Sequence, residues 1–204
     1  LPTEAEWEYA CRAGTTTEFN VGSDLFCSQA RFYYSFHPTG HTCGGSSSAG
    51  TVDVGSYSAN DFGLYDMHGN VWEWCFDSYA SYGAAAVTDP FVTGGSGRVV
   101  RGGSWAGHSG HCRSAERSQQ PPDSMTNGVG FRVVLAPEHP QRPGMVLIPA
   151  GTFSMGSDVA AGPPYYNVSG NQPVHEVTIS QNFWMGEHEV TQAEYQALMG
   201  TNPS

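Results

Sequence analysis

Apolar residues fall at helical spacing in two short stretches. In residues 1–14, Trp7, Ala10 and Cys11 share one face, the pattern of an amphipathic helix. Thr3-Glu4-Ala5-Glu6 ahead of them reads as a capping box, each side chain satisfying an orphan amide, and Gly14 suits the residue past the helix end. Thr191-Gln192-Ala193-Glu194 repeats the box, Tyr195, Leu198 and Met199 line one face behind it, and Gly200 marks the stop. Strand-like runs are brief. Residues 98–101 break at Gly102-Gly103, residues 130–135 form a second strand, and residues 174–179 alternate imperfectly. Residues 145–148 and 152–155 suggest a hairpin around Pro149-Ala150-Gly151. Residues 15–62 look irregular, with a Gly/Ser-rich loop at 39–50, and a further loop runs from Trp74 through Gly97. Residues 136–144 hold three prolines and no apolar period, which predicts a linker.

Composition agrees with a turn-rich domain. The 204 residues include 26 Gly and 13 Pro, so aromatic residues at 12% must supply much of the buried area. Eight basic residues, all Arg, stand against 19 acidic ones. A net charge of -11 repels phosphate backbones, which argues against nucleic-acid partners, and clustered carboxylates suit hard cations. No apolar run approaches a membrane span. Five cysteines (Cys11, Cys27, Cys43, Cys75, Cys112) contain no CxxC pair, and their odd number leaves at least one thiol unpaired.

Several stretches together resemble the formylglycine-generating enzyme, or sulfatase-modifying factor, family. They are Leu1-Pro2-Thr3-Glu4-Ala5-Glu6-Trp7-Glu8-Tyr9-Ala10, the run from Gly63 to Trp74, Arg101-Gly102-Gly103-Ser104-Trp105, Cys112-Arg113-Ser114-Ala115 and Gly130-Phe131-Arg132. Met145 to Gly156, Glu189-Val190-Thr191 and Asn202-Pro203-Ser204 are similar to the family's N-terminal part. The resemblance implies an α+β, loop-rich fold of the C-type-lectin-like kind, with short strands and few short helices. The order is rotated: residues 1–135 resemble a C-terminal part, residues 136–144 are the linker, and residues 145–204 resemble an N-terminal part. A fragment across the junction of tandem domains and a circular permutant both account for this. In either case the two parts are expected to fold as one unit, with the strand at 131–135 pairing with that at 145–148.

The resemblance also implies a calcium site between Asp66 and Glu73. It assigns side-chain ligation to Asp66 and Glu73 and carbonyl ligation to Gly69 and Val71, with Asn70 adjacent. Calcium takes mixed carboxylate and carbonyl oxygens, and a turn through Gly69-Asn70 lets them converge. The residues alone support a plainer reading, in which Asp66 forms a turn and Glu73 pairs with a buried Arg. Leu64, Tyr65, Trp72 and Trp74 read as core rather than as ligand-binding surface. A second family calcium site would fall near Arg31 and Ser46-Ser47-Ser48, whose residue types do not suit it.

Family enzymes oxidise a sulfatase cysteine to formylglycine with oxygen, using two cysteines that bind Cu(I), an ion suited to thiolates. Here Gly107 stands at the first of those positions and Cys112 at the second. Cys112 is therefore the one candidate catalytic residue, and one thiolate does not complete the copper site. A metal site from His108, His111 and Cys112 is the alternative to a plain core cysteine beside a loop. Three functions follow: a calcium-binding scaffold or binding module for a peptide, protein or glycan; an active oxidase with another ligand set; or a sulfur-transfer domain of the ergothioneine-synthase type.

Overall fold

A computed structural model describes residues 1–33, 50–95, 97–140, 142–158 and 168–202. Helix α1 (Glu4–Arg12) lies at the centre. Thr3 and Glu6 complete the capping box, and Ala13 takes the left-handed conformation at the other end. Trp7, Ala10 and Cys11 are fully buried, as their spacing suggests. The charged Glu4, Glu8 and Arg12 are buried too, so the helix is enclosed on nearly all sides.

Three small sheets surround it. The first has the order β4-β3-β1-β5, from β1 (Trp72–Ser78), β3 (Arg98–Arg101), β4 (Arg117–Gln120) and β5 (Val129–Gly130). The second has the order β6-β10-β7, from β6 (Val134–Leu135), β7 (Met145–Ile148) and β10 (Phe183–Gly186). The third has the order β2-β9-β8, from β2 (Val87–Thr88), β8 (Gly151–Met155) and β9 (His175–Ile179). The fold is α+β with two short α-helices among the described residues, the second being α2 (Gln192–Met199), again opened by a capping box and closed by Gly200.

Several local expectations change. The stretch 130–135 is not one strand: β5 and β6 belong to different sheets, and between them Arg132 turns its side chain fully inward. β6 does not pair with β7; β10 lies between them. Nor do β7 and β8 form a hairpin. Pro149 has no amide to give a ladder, and the chain passes from one sheet to the next, β7 pairing with β10 and β8 with β9. The Ala150 amide is taken by Asn182 Oδ1 at 2.7 Å instead. β1 replaces the loop expected after Trp74, and its alternation is inside out: Glu73, Cys75 and Asp77 face inward, while Trp72, Trp74 and Phe76 are half-buried or exposed. No residue of α2 is buried; of its apolar stripe Tyr195 is half-buried with its ring edge-on to Phe131 at 6.5 Å, while Leu198 and Met199 are exposed.

One core cluster joins both parts of the chain. Ala5, Trp7, Ala10 and Val99 pack with Ile148, Met155, Val177, Ile179 and Met185. A smaller cluster gathers Phe19, Leu25, Ala30, Phe32 and Cys112. The arginines knit the interior. Arg12 and Arg101 grip Glu8, whose second partner set includes the Gly156 amide at 2.9 Å, and Arg117 forks onto Glu4 at 2.6 and 2.7 Å. Burial alone would raise the Glu8 pKa, but Arg101 and Arg12 hold it below the usual carboxylate value. No helix among the described residues is long and apolar enough to cross a membrane.

Candidate functional site

The turn before β1 is tightly specified. Asp66, Gly69 and Asn70 all have positive φ, of 57°, 83° and 60°. A Cβ on Gly69 would stand 2.1 Å from the Arg31 carbonyl oxygen, so only glycine fits there. The Asn70 amide donates to that same carbonyl at 2.8 Å, and the Asn70 carbonyl accepts from the Trp105 amide at 2.9 Å. The family resemblance singled out this turn, and three residues of positive φ bend it sharply.

The side chains divide into two groups. Glu73 is 1% exposed and both its oxygens meet Arg132, at 2.6 Å each. Trp7 Nε1 adds a third hydrogen bond to Oε2 at 2.8 Å. The plainer reading of Glu73, pairing with a buried Arg, is the arrangement observed. Arg132 is fully buried and also donates to the carbonyls of Tyr65 and Gly186, both at 3.1 Å. Asp66 is different. Its Oδ2 accepts from the Gly55 amide at 2.6 Å, while its buried Oδ1 has no partner among the described residues. Burial pushes the Asp66 pKa up, with Glu73 adding to the effect.

Glu189 joins this site, and sequence spacing did not place it there. It lies 119 positions from Asn70, whose Nδ2 donates to Glu189 Oε1 at 3.3 Å, while Asn70 Oδ1 accepts from the Val52 amide at 3.1 Å. Glu189 Oε2 is buried without a partner among the described residues. Its pKa is pushed up to about 8, chiefly by burial and then by Glu73 and Asp66, with Arg132 opposing. Its only sequence signal is the Glu189-Val190-Thr191 motif. Three carboxylates thus share one guanidinium. Two orphaned carboxylate oxygens are of the donor type a hard cation takes, but Asp66, Glu73 and Glu189 do not form a three-ligand metal group among the described residues, and Glu73 is held by Arg132.

The copper positions do not fit. Cys112 is fully buried in the smaller core cluster, with its thiol pKa pushed up by burial. It is not disulfide-bonded, and neither are the buried Cys11 and Cys75. Cys27 is disulfide-bonded. A Cβ on Gly107 would meet His111 Nδ1 at 3.3 Å, so the histidine occupies the space beside the missing side chain. The His108 and His111 rings are tilted by 35° with centres 3.6 Å apart, and burial lowers both pKa values, that of His108 to about 4. Among the described residues no three His, Cys, Asp or Glu side chains form a metal-binding group. Near the other proposed calcium position, Arg31 Nε donates to the Gly50 carbonyl at 3.1 Å; residues 46–48 lie outside the described residues.

The buried turn, the enclosed helix and the broken small sheets define a C-type-lectin-like α+β domain. The chain belongs to the family described as the sulfatase-modifying factor enzyme 1-like domain, whose sequence pattern it matches twice, over residues 1–137 and 134–203. It is 39% identical over 148 residues to the formylglycine-generating enzyme of Streptomyces coelicolor, covering 65% of this chain and 45% of that one. It is 38% identical over 138 residues to the serine/threonine-protein kinase pkn1 of Chlamydia caviae, covering 65% of this chain and 20% of the kinase. Among solved structures, Treponema denticola variable protein 1 is similar with a TM-score of 0.53 and 36% identity, covering 64% of this chain and 45% of that chain. The chain therefore spans less than half the length of each of these relatives.

Proposed function

We propose that this chain is a calcium-stabilised binding module of its family rather than a formylglycine-generating oxidase. One observation carries the second half of that reading: the thiol at the second copper position is sealed in the core and the first position is Gly107. A protonated, inaccessible thiol is neither a copper ligand nor a nucleophile. The match to a protein kinase supports the view that the domain accompanies functions other than cysteine oxidation.

Calcium, on this reading, is held by Asp66 Oδ1, with the carbonyls of Gly69 and Val71 and the neighbouring Asn70 completing the turn. Glu73 serves Arg132, and as half of a neutral pair it adds no net charge for the ion. The ion would supply neutralisation to a carboxylate cluster that Arg132 alone leaves negative. Its role is structural, and no reaction step is assigned to it.

The test has two arms. The protein is loaded with Cu(I), given oxygen, a thiol reductant and a cysteine-containing sulfatase peptide, and the product is assayed for aldehyde; aldehyde formed catalytically would reject the module reading. Thermal melts with calcium and with chelator test the ion. An unchanged midpoint after full metal removal would reject the calcium half.

A further inference from the structure

Of the strands at the sheet edges, β8 stands open along its whole length. It pairs with β9 alone, through all five of its residues. In an antiparallel pair alternate residues turn both backbone groups toward the partner, and those between turn theirs away. At least two residues of Gly151–Met155 therefore present an N–H and a C=O on the side opposite β9. Among the described residues no hydrogen bond reaches those groups. The other edge strands are shorter: β2, β5 and β6 have two residues each, and β4 and β7 have four. β8 also lacks the proline, charge or bulge that usually blocks an edge.

A groove of about 760 Å³ runs beside it. Thr152 and Ser154 belong to one face of β8 and Phe153 to the other, and all three line the groove, which places it along the rim of the strand. Residues 14–18, just past α1, form the facing wall. Tyr9, Phe62 and Phe153 supply an aromatic floor, with the Tyr9 ring centre 5.6 Å from Phe62 and 5.3 Å from Phe153. The cations in the wall already have partners: Arg12 meets Glu8, and Arg113 meets Glu116 and Glu18. The groove therefore offers no cation for an acidic ligand.

The geometry points to β8 as a docking edge for an extended, uncharged peptide of a partner protein. The peptide adds as a further strand in the groove and sets alternate apolar side chains over Tyr9, Phe62 and Phe153. Its main chain supplies the donors and acceptors that the open row lacks, and its period-two side chains use the aromatic floor. A second copy of this chain is the poorer occupant. Each copy has a net charge of -11 and buries Arg12, Arg101, Arg113, Arg117 and Arg132, so two copies repel. The inference rests on the binding-module reading, names its ligand class, and uses no atom of the calcium turn.

Isothermal titration and amide hydrogen exchange on the full chain test it, in calcium and in chelator. The probe is a blocked heptapeptide of alternating Val and Thr. Two further peptides carry N-methyl groups, one on the Val amides and one on the Thr amides. A strand bonded along one rim uses only one of these sets. One methylated peptide should lose about tenfold or more in affinity, and the other less than about threefold, because only one loses hydrogen bonds to β8. The unmodified peptide should slow exchange of amides within residues 151–155. Thr16→Trp, at an exposed position across the groove, should weaken binding several-fold and leave the urea midpoint unchanged. Equal losses from both methylated peptides, no binding at millimolar peptide, or protection confined to residues outside 151–155 would overturn the inference. So would protection of β8 that rises with protein concentration in the absence of peptide, since a second copy would then hold the edge. Neither aldehyde formation nor an unchanged melt in chelator alters these readouts, so the edge stands or fails separately from the reading it extends.

Discussion

Glu73 and Arg132 meet fork to fork inside the protein, with two nitrogen–oxygen distances of 2.6 Å and both side chains at most 1% exposed. The pair joins β1 to the segment between β5 and β6, and through Arg132 reaches the carbonyl of Gly186 on β10. It therefore couples two of the three sheets.

Removing one partner strands the other charge. Arg132→Met should cost about 3–5 kcal/mol, the usual cost of leaving a buried charge unpaired. Arg132→Lys should also destabilise, because an ammonium cannot reproduce the fork. Glu73→Gln gives the sharper comparison with calcium. If Glu73 serves Arg132, urea unfolding should show the same loss with calcium and with chelator. Asp66→Asn should instead remove the calcium-dependent gain, about 2.7 kcal/mol at a hundredfold excess over Kd, and leave the chelated protein nearly unchanged. A Glu73→Gln loss confined to the calcium-loaded sample would return Glu73 to the metal.

Three free cysteines among the described residues give an independent measure of the sealed core. Cys11, Cys75 and Cys112 are all fully buried, and burial raises each thiol pKa, that of Cys11 to about 12. Native protein should resist alkylation at pH 8, and all three should react once urea unfolds it. Cys112→Ala should cost about 0.5–3 kcal/mol, as a core truncation. Rapid labelling of native Cys112, read by mass spectrometry, would place its thiol at the surface.

The parts legible in the sequence were those governed by local chemistry. Both capping boxes, the strand ending at Gly102-Gly103 and the bend through Gly69-Asn70 depend on residues a few positions apart. The parts missed depend on partners far along the chain. β1 reads as a loop from its pattern because its inward face carries Glu73, Cys75 and Asp77. Those carboxylates are tolerable there only because Arg132, Trp7 and the Glu4 amide wait for them. Glu189 was invisible as a site residue for the same reason: nothing local links it to Asn70. Pro149 misled in another way, since it marks a passage between sheets rather than a turn within one.

Acid sensitivity should have a histidine component. His68 is fully buried, its Nδ1 meets the Cys112 carbonyl at 2.7 Å and its Nε2 accepts from the Asn20 amide at 3.1 Å. Burial, with Arg12 adding, lowers its pKa from 6.5 to about 4. Between those values the unfolded chain binds a proton that the native one refuses. Stability from this residue is thus complete above pH 6.5 and lost as pH falls toward 4, by about 2 kcal/mol between pH 7 and 5. His108 contributes with the same sign, reduced by its partial exposure, whereas Glu189, with its raised pKa, contributes with the opposite sign between 4.5 and about 8. His68→Gln isolates the His68 share, since it keeps a donor and an acceptor and does not titrate. In chelator, its urea midpoint should change less than the parent's between pH 7 and 5. Parallel curves would show that His68 protonates without cost.

The two matched stretches, residues 1–137 and 134–203, make a mechanical prediction. The main core draws Ala5, Trp7, Ala10 and Val99 from one side of residues 136–144 and Ile148, Met155, Val177, Ile179 and Met185 from the other. Hydrogen bonds cross the same boundary, from the Gly156 amide to Glu8 and from Arg132 to the Gly186 carbonyl. β6, just before the linker, is held by β10 rather than by its sequence neighbour β7. Among its described residues the linker adds the bond from Trp184 Nε1 to the His139 carbonyl at 3.1 Å and, at its end, that from the Glu187 amide to the Gly144 carbonyl at 2.9 Å. Replacing part of residues 137–143 with a protease site and cleaving there should break the chain without separating it. The two pieces should co-elute at the size of the intact chain and melt in one transition, somewhat lower because the join no longer restricts the unfolded state. Pieces that part on gel filtration would show that the shared core is too weak to hold them without the covalent link.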